Sequence, residues 1–204
     1  YHKPTLYAAF GFSAPFALYL FAIGNLLSSI VLIAMLFLVI AYSLGGLRFK
    51  EIPFLDSFTS AMHFVGPMLF GLTLAGASFD WRIWLITLSF TLWGMASHAF
   101  GAVQDIRADR EAGIASIATV LGAKATVRIS FAMYLVAALV TLFLGDRYPQ
   151  AALAAIPYLF VVGREWRITD ETCESANRGW RRFIYLNFIA GAIVSAVIIG
   201  PQPS

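Results

Sequence analysis

The chain has 204 residues, 60% of them hydrophobic and 12% charged, with a mean hydropathy of +0.79. Soluble domains carry about 45–50% apolar and about 25% charged residues, so a water-soluble globule is excluded and an all-α integral membrane protein is expected. A net charge of +3 leaves no basic field of the kind nucleic acid requires, and the single cysteine, Cys173, forbids an internal disulfide.

A hydrocarbon core of about 30 Å needs roughly 20 mostly apolar residues per helix. In chain order, seven spans are predicted, at 6–23, 26–42, 57–77, 83–103, 127–144, 151–162 and 183–199. The first holds Pro15 near Gly11, a tolerated kink. Only Gly24 and Asn25 separate it from the second, which predicts an antiparallel hairpin. The sixth is short and contains Pro157, so it is expected to be kinked or tilted. No repeat or linker divides the chain, and 1–204 reads as one transmembrane domain.

The polar segments alternate in charge. Lys3, Arg48, Lys50, Arg107, Arg110, Lys124, Arg128, Arg164, Arg167, Arg178, Arg181 and Arg182 lie at the N-terminus or after spans two, four and six. Only Arg82 and Arg147 fall on the other side. This bias predicts that the long loops face the cytoplasm and the C-terminus faces outward. The acidic residues share the asymmetry, leaving Asp80 and Asp146 outside.

The chemistry concentrates where the fourth span turns polar. If the helix continues one turn past Gln104, Asp105 and Asp109 sit at i and i+4 on one face. Paired hard oxygen ligands suit Mg²⁺, which bridges a few carboxylates to substrate phosphates. Arg107 and Arg110 alternate with them, so a solvated helix end with weak ion pairs accounts for the spacing equally well. His98, two turns earlier, reads first as a packing or hydrogen-bonding residue, though an imidazole within a span needs a partner. The loop after the second span sets Arg48 and Lys50 between Gly45-Gly46 and Pro53. These cations can hold diphosphate oxygens or simply anchor the loop at the membrane. Asp56 before Ser57 reads as the capped entry of the third span. The mixed charges of 164–182 read as a solvated loop with anchoring arginines, and Trp166 and Trp180 as interfacial residues.

Asp105-x-x-x-Asp109, followed by Gly113, Thr119 and Gly122, resembles the second aspartate-rich motif of the UbiA-type intramembrane prenyltransferases. Tyr42-Ser43 with Arg48 and Lys50 resembles the tyrosine–serine–basic loop of that superfamily. His98-Ala99-Phe100, the run from Asp109 to Ile114, and Pro53-Phe54-Leu55-Asp56-Ser57 are most similar to the lycopene elongases of C50 carotenoid synthesis. The superfamily has nine spans and a first aspartate-rich motif of the form N-D-x-x-D. Here the only early asparagine, Asn25, precedes leucine, and the chain begins with Tyr1. The resemblance therefore implies the C-terminal part of a nine-helix bundle, lacking the first two helices and the first motif, and inactive alone.

The resemblance implies Mg²⁺ held by Asp105 and Asp109, which serve as the catalytic metal ligands. Diphosphate would be bound by Arg48, Lys50, Tyr42 and Ser43. The implied reaction moves a prenyl group from an allylic diphosphate, dimethylallyl diphosphate, to lycopene or a related linear carotenoid within the bilayer. An aromatic acceptor of the quinone-pathway or porphyrin type is the alternative. A transporter fits less well, because its charges should lie deep in the spans, whereas here the ionisable residues cluster mostly at one mouth, with His63 and His98 the exceptions within the spans.

Overall fold

The computed structural model describes residues 2–145 and 148–199, with only the backbone at His2 and Ile184. Asp146 and Arg147, assigned to the outer side by the charge pattern, lie outside the described residues, as do Tyr1 and the C-terminal tail. Every regular element among the described residues is helical. The helices are α1 (His2–Ile23), α2 (Leu26–Ser43), α3 (Leu55–Leu74), α4 (Trp81–Val103), α5 (Ile106–Ala112), α6 (Ile117–Leu121), α7 (Ala123–Leu142), α8 (Ile156–Gly163) and α9 (Ala176–Ile199). Short 3-10 segments lie at Phe49–Glu51, Tyr148–Ala155 and Asp170–Ser175.

Each of the seven predicted spans falls on helical structure, but they are not equivalent. α1, α2, α4 and α7 are long and apolar enough to cross a membrane, and the bent 170–199 segment is a fifth if taken as one broken span. α3 has the length but carries Asp56, Ser57, Thr59, His63 and Thr73. The sixth predicted span divides into the 3-10 segment Tyr148–Ala155 and α8. Pro157 lies in the first turn of α8, where a missing N–H costs nothing.

The caps explain where these helices begin. Asn25 and Ser28 form a reciprocal capping box at the start of α2. Asn25 also donates from Nδ2 to the Thr73 carbonyl at 2.8 Å, tying the α1–α2 turn to the end of α3. Asp80 accepts from the Ile83 amide and starts α4. The expected α1–α2 hairpin is made at its turn but not along its length. Phe10, Phe12, Phe16 and Tyr19 of α1 are exposed, and coverage is confined to its C-terminal end. An apolar helix meets no hydrophobic penalty on a lipid-facing flank, so nothing forces α1 down onto α2.

α4 is the centre of the packing, with α3 on one side and α7 on the other, and α2 lies beyond α3. The 148–163 segment packs on α7, and α9 packs on that segment and on α4. The largest buried side chains, Tyr134, Tyr158 and Phe100, meet in this half, joined by Val103, Val127 and Phe183. Polar pairs fix the register. Ser97 Oγ and Tyr134 Oη are 2.7 Å apart, Ser89 donates to the Ala137 carbonyl at 2.8 Å, and Tyr158 donates to Asn187 at 2.6 Å. Such interhelical bonds contribute about 0.6–2 kcal/mol each in a membrane setting. The α3–α4 crossing is close, since a Cβ on Gly94 would lie 2.8 Å from that of Ala61.

Candidate functional site at the loop end of the bundle

The α2–α3 connection forms one wall. Tyr42 ends α2 half-buried, its ring edge-on to His63 with centroids 5.3 Å apart. His63 is satisfied locally, its Nδ1 lying 2.8 Å from the Thr59 carbonyl. Arg48 adopts a left-handed backbone (φ 41°) and caps the 3-10 turn that carries Lys50 and Glu51. A non-glycine residue held this way costs about 1–2 kcal/mol, a strain that clusters at functional sites. Arg48 and Glu51 form an ion pair.

The opposite wall comes from the turn out of α4. The helix does not run on through Gln104; it stops at Val103, and α5 begins after Asp105. The i, i+4 geometry survives the break, because the Asp109 amide donates to the Asp105 carbonyl at 2.8 Å. Both carboxylates therefore face one cavity. Gly113 closes α5 in the left-handed conformation (φ 70°), with the Ile114 amide returning to the Asp109 carbonyl at 2.8 Å. Thr119 forms a capping box with Ser116 that starts α6, and Gly122 (φ 78°) turns the chain into α7. These three motif residues set the backbone that presents Asp105 and Asp109.

Between the walls lies a cavity of about 490 Å³, lined by Tyr42, Arg48, Lys50, Glu51, His98, Asp105 and Asp109, with Trp180 across it. Six of the expected site residues thus resolve into five that line one space and one, Ser43, that is exposed at the end of α2 outside it. Glu51 and Trp180 were not singled out for the site from sequence. Glu51 is masked by its basic neighbours, and Trp180 reads as an interfacial residue. It stays exposed, and its ring also rests on Gly101, where a Cβ would come within 3.1 Å.

Asp56 is not the cap of α3; that position belongs to Phe54, whose φ of 70° turns the chain into the helix. Asp56 is fully buried in the first turn. Its Oδ2 accepts the Ile117 amide at 2.8 Å, and its Oδ1 accepts the Ser57 amide at 2.6 Å and the Ser57 hydroxyl at 3.2 Å. Ser57 Oγ lies 3.1 Å from His98 Nδ1. The partner that an imidazole within a span requires is therefore a hydroxyl backed by a carboxylate.

The 164–182 segment keeps all its arginines exposed, as expected of a solvated loop, but it is also tied to the site. Asp170 accepts the Ala123 amide at 2.7 Å and Arg110 at 2.6 Å, joining α5 to the start of α7. Arg110 also donates to the Thr119 carbonyl at 2.9 Å, and Asn177 donates to Gln104. Cys173 is buried in the core. Trp166 keeps the interfacial exposure expected of it, under the Arg128 guanidinium at 5.2 Å.

The electrostatics follow from crowding. Burial, then the charges of Asp105 and Glu51, push the Asp109 carboxyl above the ordinary aspartate value. Burial alone raises Asp105. Asp170 moves the other way, lowered first by the Ala123 amide and then by Arg110. Repelling carboxylates opposite two cations suit a divalent ion bridging to a diphosphate. The described residues contain no cluster of three or more His, Cys, Asp or Glu able to hold a metal alone. Mg²⁺ needs no such cage, because it binds through one or two carboxylates plus phosphate oxygens and water.

A second cavity of about 420 Å³ lies farther along the bundle, between α4, α7, α9 and the 148–155 segment, and is mainly apolar. An aromatic run separates the two. Trp180 meets Phe183 at 5.2 Å, Phe183 meets Tyr158 at 5.2 Å, and Tyr158 meets Tyr134 at 5.0 Å and Trp93 at 6.2 Å. Of these two cavities only the first is lined by charged residues.

Apolar helices closing on a charged cavity of paired carboxylates and cations define a helical integral membrane protein. The chain belongs to the UbiA prenyltransferase family, whose model matches residues 2–189. It is 50% identical over 200 residues to the C(50) beta-cyclic carotenoids biosynthesis protein LbtBC of Dietzia sp., covering 97% of this chain and 46% of that protein. It is 44% identical over 198 residues to the lycopene elongase/hydratase of Corynebacterium glutamicum, covering 97% of this chain and 69% of that one. A lycopene elongase/hydratase of Haloferax volcanii is 34% identical over 138 residues, 68% of this chain and 44% of the relative. The chain thus spans about half the length of the Dietzia relative. No solved structure matches it significantly.

Proposed function

We propose that this chain carries the diphosphate site of an intramembrane prenyltransferase that extends a linear carotenoid. The observation that carries the reading is the meeting of Arg48 and Lys50 with Asp105 and Asp109 across one cavity. Dimethylallyl diphosphate is the donor in this reading, and lycopene or a related polyene is the acceptor. Relatives named for C(50) carotenoid biosynthesis and for lycopene elongation support that choice over an aromatic acceptor.

Arg48 grips diphosphate oxygens as a bidentate fork and Lys50 as a point charge. Tyr42 offers a hydroxyl at the same wall, while Ser43 reaches the diphosphate only through movement of the turn that follows it. Asp105 and Asp109 hold Mg²⁺. When bound, the ion supplies charge that neutralises the diphosphate as its carbon–oxygen bond breaks. The aromatic run below the cavity keeps bulk water from the allylic cation.

Cytoplasmic loops belong to the same reading, supported by the Lys/Arg bias. So does the place of the seven spans within a nine-helix bundle, supported by the uncovered flank of α1 and the greater length of the relatives. The test is to express the full coding sequence in cells accumulating lycopene and weigh the pigments. Products heavier by one or two five-carbon units are expected. Unchanged lycopene, with the protein in the membrane and donor present, would sink the acceptor assignment.

A further inference from the structure

We propose that Phe183 is the plug that limits the donor to a single five-carbon unit. It closes the inner end of the charged cavity and shuts the allylic chain off from the apolar cavity behind it. The inference rests on the prenyl-transfer reading above and assigns the residue that sets donor length, which that reading leaves open.

The direction of the donor chain follows from where the charges sit. Arg48 and Lys50 lie in the α2–α3 connection, and Asp105 and Asp109 lie beyond the end of α4, so the outer part of the cavity is the charged part. The lining that α4 itself supplies is deeper. At 1.5 Å per residue, Gly101 and His98 lie about 6 and about 10 Å along the axis from Asp105. With the diphosphate among the charges, an apolar tail leaves water by turning inward, past Gly101 and Ala102 toward Trp180.

Beyond that point the rings are packed together. Trp180 lies against Phe183 with centroids 5.2 Å apart, and Phe183 stacks on Phe100 at 5.4 Å. On its far side Phe183 meets Tyr158 at 5.2 Å and Tyr134 at 6.2 Å, and these two rings line the apolar cavity. Phe183 thus lines neither cavity but touches the walls of both. It is 3% exposed, and Phe100, Tyr134 and Tyr158 are fully buried. Two glycines let α9 press onto α4 at this level. A Cβ on Gly101 would meet the Trp180 ring at 3.1 Å, and one on Gly179 would meet Phe100 at 3.0 Å.

The tyrosines of this partition are fixed by hydrogen bonds to Ser97 and Asn187, whereas Phe183 is held by packing alone. Truncating it would join cavities of about 490 and 420 Å³ into one channel that is charged at one end and apolar at the other. A longer allylic donor needs that channel. A ten-carbon chain must carry its second five-carbon unit past Trp180 into the space of the Phe183 ring, and close-packed neighbours yield that space only with strain. A five-carbon chain ends before it.

The test uses membranes holding the full-length protein, wild type beside F183A, F183L and F183Y, given lycopene, Mg²⁺ and isotopically labelled dimethylallyl or geranyl diphosphate. Wild type that transfers from neither donor refutes the prenyl-transfer reading itself, independently of any variant. Wild type is expected to use the five-carbon donor and to reject the ten-carbon one, and equal use of both would overturn the plug. In F183A the ratio of kcat/KM values should move toward the ten-carbon donor by at least about 10-fold, the low end of the discrimination a hydrophobic pocket gives per methylene. F183L should move it the same way by less, and F183Y, which keeps the ring, should hold the wild-type preference. A loss of folded protein lowers transfer from both donors alike and leaves the ratio unmoved. An unchanged ratio in F183A or F183L present in the membrane therefore overturns the proposal, and the wild-type comparison stands even where a variant does not accumulate.

Discussion

Asp109 is held where the fold disfavours its charge. Burial and the neighbouring carboxylates of Asp105 and Glu51 raise it, so the metal-free native state binds its proton more tightly than the unfolded chain does. Stability without metal therefore falls as pH rises from the ordinary aspartate value, about 3.9, through the raised one. Asp109→Asn is expected to raise the melting temperature of metal-free protein at neutral pH while abolishing prenyl transfer; thermal melts in chelator and a product assay read both. By the same logic, Mg²⁺ affinity should begin to fail on acidification above pH ~3.9. Asp170 has the opposite sign. Its lowered value means its contribution is present above the ordinary aspartate value and lost as pH drops through the lowered one. Asp170→Ala removes a cap on α7 and should cost about 1 kcal/mol, seen as a lower melting temperature that narrows toward wild type in acid. At this scale the sequence is only partly legible. The spacing of Asp105 and Asp109 shows in the chain itself, whereas the Asp56–Ile117 bond joins residues 61 apart and has no local signature.

Among the elements, the long apolar helices are readable because lipid demands about 20 apolar residues per crossing. The 3-10 segments and the break between α4 and α5 are not, because they depend on where tertiary contacts stop a helix. Segment 164–182 is legible in part. Its arginines are exposed, as mixed charge suggests, yet Asp170 bridges α5 and α7 and Cys173 enters the core without a local signature. The α3–α4 crossing depends on one absent side chain. Gly94→Leu must drive into Ala61 and should cost about 1–3 kcal/mol by overpacking. Because α3 carries Ser57 and α4 carries His98, that variant should also lower activity among the molecules that remain folded. An Ala→Gly change at Ala61 made together with it should recover part of the stability.

For the molecule as a whole, the charge bias predicts that the proposed diphosphate cavity faces the cytoplasm. Single cysteines placed at Lys50 and at Arg82, in a C173A background, should therefore label from opposite sides of sealed membranes. Labelling of both from one side would contradict the assigned topology. The family could be read from a few loop residues, because diphosphate chemistry fixes charges at set spacings. The acceptor leaves no such trace, since apolar walls built for a hydrophobic substrate look in sequence like any lipid-facing packing.

The most direct test is transfer itself. Membranes holding the full-length protein would be given isotopically labelled dimethylallyl diphosphate and lycopene, with Mg²⁺ or with chelator, beside the same membranes carrying D105A. Label should enter the carotenoid fraction, with diphosphate released, only when Mg²⁺ and Asp105 are both present. Folded wild-type protein that moves no label to lycopene, or moves it equally in chelator or with D105A, would contradict the central claim.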